Sequence, residues 1–379
     1  MAVFEPNDEN AVAEVIRTAQ AEARPLAIRG GGTRVVGGEG DGDVLTTRNL
    51  TGITLYEPGA LTIVARAGTP LDEIRRTLAA EGQHLAFEPM DARGLTGRDG
   101  TPTVGGMVAA NVSGPRRLQA GACRDCMIGV RFVDGTGRVI RNGGRVMKNV
   151  TGLDLVRMMA GSHGTLGVIT EVGFKVLPAP AATATVQLTG LDVTTAVAAM
   201  TAAMGTPFDV TGAAHQPGGA TMLRLEGFEG SVVYRAGALA KSLKKFGQAE
   251  IIDGADAWTD IRDVTAFAGK DGAVWRISVK PTDGPRVVEA LGGADCLLDW
   301  SGGLVWALTD PDFDLRAALT GIPGHATLMR APVDAAPKWP VFHPEPAPVA
   351  ALSRGLKAKF DPKGILNPGL MDRPVPEPA

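Results

Sequence analysis

Residues 144–178, GRVMKNVTGLDLVRMMAGSHGTLGVITEVGFKVLP, place a helix-like segment, a glycine-rich turn and an alternating strand within 35 residues. The turn is Gly161-Ser162-His163-Gly164-Thr165-Leu166-Gly167, and Val172, Phe174 and Val176 alternate with Gly173 and Lys175 in the strand, which predicts half-burial. Two glycine loops precede it: Arg29-Gly30-Gly31-Gly32-Thr33-Arg34, and Thr103-Val104-Gly105-Gly106 running on to Asn111 and Gly114. Glycine lets a backbone approach a phosphate closely and present N–H donors at unusual dihedrals. Any one loop reads equally as a tight turn. Three in this order point to a chain wrapped around a large phosphate-bearing ligand. The first is neither GxxxxGK[ST] nor a GxGxxG opening a long helix, which excludes a nucleoside-triphosphate loop and a Rossmann fingerprint.

Outward from these loops, the elements alternate. Val12, Val15, Ile16 and Ala19 recur at helical spacing over 8–23, with Asn7 as the expected cap. Strands are expected at 26–28, 44–47 and 61–65. Thr69-Pro70-Leu71-Asp72 reads as a capped start to a helix that buries Leu71, Ile74 and Leu78. Residues 127–140 read as a hairpin turning at Asp134–Gly137. Pro178-Ala179-Pro180-Ala181-Ala182 is a linker, and beyond it the pattern strand, helix, strand, strand, helix, strand occurs twice between 183 and 330. Two such βαββαβ units suggest an α+β module with an antiparallel sheet. Residues 254–272 do not fit that pattern. After the Pro-rich join 340–348, Val349, Leu352, Leu356 and Phe360 give a helix one apolar face, and the proline-rich last ten residues are expected to be disordered. The expected domains are therefore 1–178, 179–339 and 340–379.

The net charge of −3, from 38 basic and 41 acidic residues, argues against a binder of nucleic-acid backbones. MAVFEPNDEN lacks the basic-then-apolar pattern of a signal peptide, and no run reaches the roughly 20 apolar residues of a membrane span, so a cytoplasmic location is expected. Cys123-Arg124-Asp125-Cys126 has CxxC spacing, but three cysteines exclude a four-thiolate iron–sulfur cluster, and the bland reading is reduced thiols. The five histidines, His84, His163, His215, His325 and His343, show no metal-site spacing, so no metal is expected. His84, His163 (expected to face solvent) and Glu88 are weak candidates for acid–base work. The catalytic residues are otherwise unassigned, and no Arg–His constellation is legible in the second domain.

Taken together, RGGGT, TVGGMVAANVSG, GSHGTLGVITEV and the terminal FDPKGILNPG resemble the FAD-binding flavoproteins of the vanillyl-alcohol-oxidase (PCMH) type, over about residues 1–180 and 340–370. LAFEPMDARG (85–94), SGPRR (113–117) and GGRVMKNVTGLDL (143–155) are similar to FAD-binding subunits of glycolate oxidases. The resemblance implies an α+β chain with a two-part PCMH-type FAD-binding domain and an α+β cap. It implies that Arg29, Gly30, Gly31, Gly32, Thr33 and Arg34 hold the pyrophosphate and that Gly68, Thr69 and Pro70 form an adjoining wall. Thr103, Gly105, Gly106, Ser113 and Gly114 would line flavin and ribose. Gly164, Leu166, Gly167 and Ile169 would line the adenine side, with Asn367 returning from the C-terminal segment. A side chain at Gly106 or Gly167 is expected to point at the cofactor or to force a disfavoured backbone.

Three departures qualify the resemblance. Thr33 stands where many relatives carry the histidine that bonds the flavin, so non-covalent FAD is expected. No EHG-type paired-histidine metal motif is present, and Leu153 replaces the usual aromatic. The implied function is the FAD-carrying subunit of a multi-subunit glycolate oxidase that takes glycolate to glyoxylate, inactive alone. Its implied partners are a larger FAD-binding catalytic subunit and an iron–sulfur subunit, with membrane association only through the complex. The alternatives are a stand-alone FAD dehydrogenase or oxidase of another 2-hydroxy acid or alcohol, and a flavin-stabilised assembly subunit without turnover. The tryptophan-bearing module 183–330 is the expected docking surface.

Overall fold

The structure, a computed structural model, describes residues 1–34, 42–144, 152–332 and 338–371. Residues 145–151 of the 143–155 motif and the tail from 372 lie outside the described residues. The expected N-terminal helix spans Glu9–Ala21 and buries Val12, Ala13, Ile16 and Ala19. Its cap is Asp8 rather than Asn7. Asp8 Oδ1 accepts from the Ala11 amide at 2.8 Å, whereas the Asn7 side chain accepts from Asn49. The helix packs on a small parallel sheet in which Asp43–Thr46 lies between Val3–Phe4 and Leu26–Arg29. The C-terminal segment joins this sheet: the Leu26 amide donates to Ile365 and the Asn367 amide donates back to Leu26.

A second sheet is antiparallel, in the order Ile53–Glu57, Thr62–Arg66, Val168–Lys175, Met127–Val133, Val139–Gly143. The strand at its centre buries six of its eight residues. The expectation of half-burial is therefore corrected: neighbours on both edges and packing on both faces leave only Glu171 and Lys175 partly open. Thr69 does not cap the helix Leu71–Ala80, whose N-terminus has no side-chain cap. Its hydroxyl instead accepts from the Gly52 amide at 3.0 Å and ties two strand ends together.

The third sheet has eight antiparallel strands, and the sequence repeat is visible in it. The first unit has strands Ala182–Thr189, Val210–His215, Ala220–Gly227 and Ala249–Ile252. The second has Ala273–Val279, Asp295–Asp299, Leu304–Thr309 and Gly324–Arg330. Each unit is ordered fourth, first, third, second, and the two second strands meet at His215 and Leu298. One face of this sheet packs on its own helices through Val186, Trp275, Ile277 and Val305. The other carries Val274, Leu297, Leu304 and Trp306 into the core that contains the five-stranded sheet. The stretch 254–272 forms the helix Ala255–Asp263 and a tight turn at Thr265–Phe267, and it sends Trp258, Ile261, Val264 and Phe267 into that shared core.

Trp258, Trp275, Trp300 and Trp306 are buried, and the large apolar side chains that the module 183–330 exposes are Phe228, Val233, Tyr234 and Ile251. On the helix Ala347–Phe360, Val349, Leu352 and Leu356 remain exposed.

Candidate functional site

The three glycine loops converge on one cleft, closed on its far side by Thr327, Met329, Trp339 and Phe342. The convergence has a steric cause. A Cβ on Gly30 would lie 2.6 Å from Thr103 Oγ1, and one on Gly31 would lie 1.6 Å from the Thr101 carbonyl oxygen, so the first two loops touch as only glycines allow. Gly32 has φ +78° and open space where a side chain would be, and Gly106 meets only Thr103 Oγ1 at 3.3 Å. These two glycines keep the cleft floor bare. Thr103 also caps the short helix Val104–Ala109 through the Gly106 amide. Arg34 donates to the Met90 carbonyl, and burial lowers its guanidinium to about 10, still cationic at neutral pH.

Asn367 joins the parts of the cleft. Its Oδ1 accepts from the Ile28 amide at 2.7 Å, and its Nδ2 donates to the His163 carbonyl at 2.7 Å. It thus holds the C-terminal segment to both the first strand-end loop and the 161–167 turn. His163 is not solvent-facing as expected. Its ring packs edge-on against Phe342 at 4.7 Å, and burial, with the charge of Arg34, lowers it to about 4.

Of the residues singled out in the sequence, Arg29 to Arg34, Thr103, Gly105, Gly106, Gly164, Gly167, Ile169 and Asn367 line the cleft. Gly68, Thr69 and Pro70 lie behind it. Thr69 accepts from the Val104 amide, and a Cβ on Gly68 would strike the Thr47 carbonyl oxygen at 2.1 Å. Leu166 packs against the core. Gly167 reaches the cleft by its backbone only. Its Cβ position faces Phe132 at 2.7 Å and the Val133 carbonyl oxygen at 2.9 Å, so of the two expected reasons for a glycine here neither holds as stated: a side chain would meet protein rather than a ligand, and the backbone is not left-handed. Thr327, Met329, Trp339 and Phe342 were not legible beforehand, because they come from a distant strand and loop with no glycine signature.

Ser113 and Gly114 lie outside the cleft lining, at the contact with the eight-stranded sheet. Ser113 Oγ accepts from Arg117 at 2.8 Å, and the Gly114 carbonyl accepts from Trp300 Nε1 at 3.0 Å. Beside them Glu88 takes both terminal nitrogens of Arg224 at 2.8 and 2.9 Å and the Arg116 amide at 2.8 Å. Glu226 binds Arg116 and accepts from Thr211. Glu88 is therefore a structural anion with its lone pairs engaged. His84 contacts the Arg116 guanidinium, and burial plus that charge lower it to about 4.

His325 lies opposite Ser278 on the neighbouring strand, and partial burial, then the charges of Arg276, His343 and Arg117, hold its imidazole below its usual value. Cys123 and Cys126 are buried, and burial raises the first thiol well above its usual value and the second to about 11. Such thiols are poor nucleophiles and a poor redox pair. Among the described residues no helix is long and apolar enough to cross a membrane.

A family model described as an FAD binding domain matches residues 1–143. Glycolate oxidase subunit GlcE of Escherichia coli is 35% identical over 364 residues, which cover 95% of this chain and 96% of that protein. Glycolate oxidase subunit GlcD of Bacillus subtilis is 35% identical over 184 residues, 47% of this chain and 37% of that protein. D-lactate dehydrogenase of Archaeoglobus fulgidus is 32% identical over 179 residues, 46% of this chain and 38% of that protein. These last two likenesses thus cover less than half of either partner. Among solved structures, an alkyldihydroxyacetonephosphate synthase superposes with a TM-score of 0.70 at 17% identity, over 97% of this chain and 76% of that one, which shows the fold.

Proposed function

The chain belongs to the glycolate oxidase GlcE family, FAD-linked oxidoreductases of hydroxy acids, and from that premise we propose that it is the FAD-carrying subunit of a multi-subunit glycolate oxidase. In this reading glycolate becomes glyoxylate, and the electrons leave through a larger FAD subunit and an iron–sulfur subunit. The domain division at 178/179 and 339/340 is part of the same proposal. The observation that carries it is the single cleft into which all three glycine loops open, with bare floor at Gly32 and Gly106. FAD fits that donor set: backbone amides at Gly30 to Thr33 for the pyrophosphate, cationic Arg34 beside them, and the Gly164–Ile169 backbone with Asn367 at the other end. When bound, FAD supplies the acceptor for the hydride of a hydroxy acid. The chain's residues hold it, and Trp339 and Phe342 cover it from water.

The bond to FAD is non-covalent in this proposal. Thr33 offers no ring nitrogen, and its carbonyl accepts from Thr96 at 3.0 Å within a buried turn. Acid denaturation should leave yellow colour in the supernatant, and colour in the pellet would refute this. Exposed Val349, Leu352 and Leu356, together with Phe228 and Tyr234, support a chain that docks partners. The test of the subunit reading is glycolate-dependent dye reduction with the isolated FAD-loaded chain and with the co-purified complex. Turnover only in the complex is expected, and robust turnover by the isolated chain would overturn it. A second reading, turnover by this chain alone, draws support from Arg117 and Arg276 set together against the ring of Trp300.

A further inference from the structure

We propose that Arg117 and Arg276, held against the ring of Trp300, form a binding site for the carboxylate of a small hydroxy acid. The proposal rests on the reading that this chain carries FAD for hydroxy-acid oxidation, and it names the part of the chain that meets the acid.

Placement comes first. Arg276 lies directly opposite Thr327 and Trp306 on the neighbouring strands, and such partners share a face of the sheet. Trp306 on that face enters the core shared with the five-stranded sheet, and Thr327 lines the cleft. Arg276 is therefore one strand from the cleft wall. Arg117 reaches the same place from the other side of the interface, just beyond Ser113 and Gly114. Trp300 is fixed between them: its Nε1 donates to the Gly114 carbonyl at 3.0 Å and its amide donates to Asp299 at 2.7 Å. The Cζ atoms of Arg117 and Arg276 lie 4.8 and 5.0 Å from its ring centroid.

The charge of this pair meets no ion-pair partner among the described residues. Other interior arginines are spent: Arg224 on Glu88, Arg330 on the carbonyls of Leu95 and Phe267. Among the described residues no carboxylate lies within ion-pair distance of Arg117 or Arg276. Arg117 has one hydrogen bond, to Ser113, and Arg276 has none. An aromatic face attracts a cation but leaves the guanidinium edge free to take a carboxylate with two parallel N–H bonds. Burial, then the charge of Arg117, lowers Arg276 only to about 10, so it remains cationic at neutral pH. Asp299, whose charge acts on Arg276, is raised by burial to about 7 and is an incomplete counter-ion there, and Asp125, whose charge acts on Arg117, accepts from the Ala122 amide at 2.9 Å.

The test uses the FAD-loaded full chain and oxalate, which presents a carboxylate beside an oxygen but has no hydrogen to surrender. Titration is followed by flavin absorbance and tryptophan fluorescence. Saturable oxalate binding is expected, weakened at least tenfold in Arg276→Gln and in Arg117→Gln, with FAD content unchanged in both. Unaltered affinity in either soluble variant would overturn the proposal. So would wild-type chain that holds FAD yet binds no oxalate, a result that leaves the FAD-subunit reading standing. Inorganic phosphate binding as tightly, with the same dependence on both arginines, would also overturn it by assigning the site to phosphate. Failure to hold FAD would instead remove the reading on which the proposal rests.

Discussion

Replacing Gly106 with alanine should separate cofactor binding from folding, and Gly167→Ala should do the reverse. Gly106 sits within the helix Val104–Ala109, where glycine costs about 0.5–1 kcal/mol relative to alanine. Its Cβ position meets only the Thr103 hydroxyl at 3.3 Å and otherwise opens on the cleft. The apo form of Gly106→Ala should therefore melt at or slightly above the wild-type temperature. The added methyl occupies the floor on which the ligand lies. Overpacking of this kind costs about 1–3 kcal/mol, or roughly 5- to 150-fold in FAD affinity. At Gly167 the new Cβ would stand 2.7 Å from the Phe132 ring and 2.9 Å from the Val133 carbonyl oxygen. Backbone of a central strand cannot yield as the end of a flexible side chain does, so about 1–3 kcal/mol falls on the fold instead. Thermal melts of the apo chains and FAD titrations by fluorescence quenching measure both quantities. Full FAD affinity in Gly106→Ala, or a loss of apo stability equal to that of Gly167→Ala, would refute the assignment.

Asn367→Ala removes two 2.7 Å hydrogen bonds and leaves the Ile28 amide unpaired, an effect of about 1–3 kcal/mol, so hydrogen exchange over 365–370 should rise and FAD should dissociate faster. Glu88→Ala removes one of the two carboxylates on Arg224, whose side chain is 4% exposed and keeps Glu226 at 3.3 Å, and should lower stability by about 1–3 kcal/mol, read from the urea midpoint. For pH, His84 and His163 fall to about 4 in the folded chain, so their contribution is complete above the ordinary value near 6.5 and is lost as pH drops from 6.5 to 4. Asp299 has the opposite sign: with its folded value raised to about 7, its contribution is complete below about 4 and is lost as pH rises to 7. Melting curves of Asp299→Asn should therefore lack the part of the decline between pH 4 and 7 that wild type shows, and an identical pH profile would refute the shift.

What was legible in the sequence is what short-range chemistry dictates. Glycine runs at 30–32, 105–106 and 161–167 mark places where a Cβ cannot be accommodated or where the backbone turns left-handed, and Gly164 at φ +72° and Gly32 at φ +78° carry that signal. The two strand–helix repeats were readable because period-2 and period-3.6 patterns are local properties. Caps were read one residue out, as at Asp8, because either neighbour satisfies the composition rule and only geometry selects one. The helix Ala347–Phe360 shows the limit of periodicity, since a stripe of apolar residues does not say whether anything packs on it. The tertiary structure alone decided which glycines face the cleft and which face protein, because that depends on Phe132 and Val133 beside Gly167 and on open space beside Gly106. It alone joined Glu88 to Arg224 across 136 positions and set Arg117 and Arg276 against one indole ring. No spacing rule encodes such meetings: a charged side chain is stable in the interior only where its partners arrive, and their arrival is fixed by how the sheets stack.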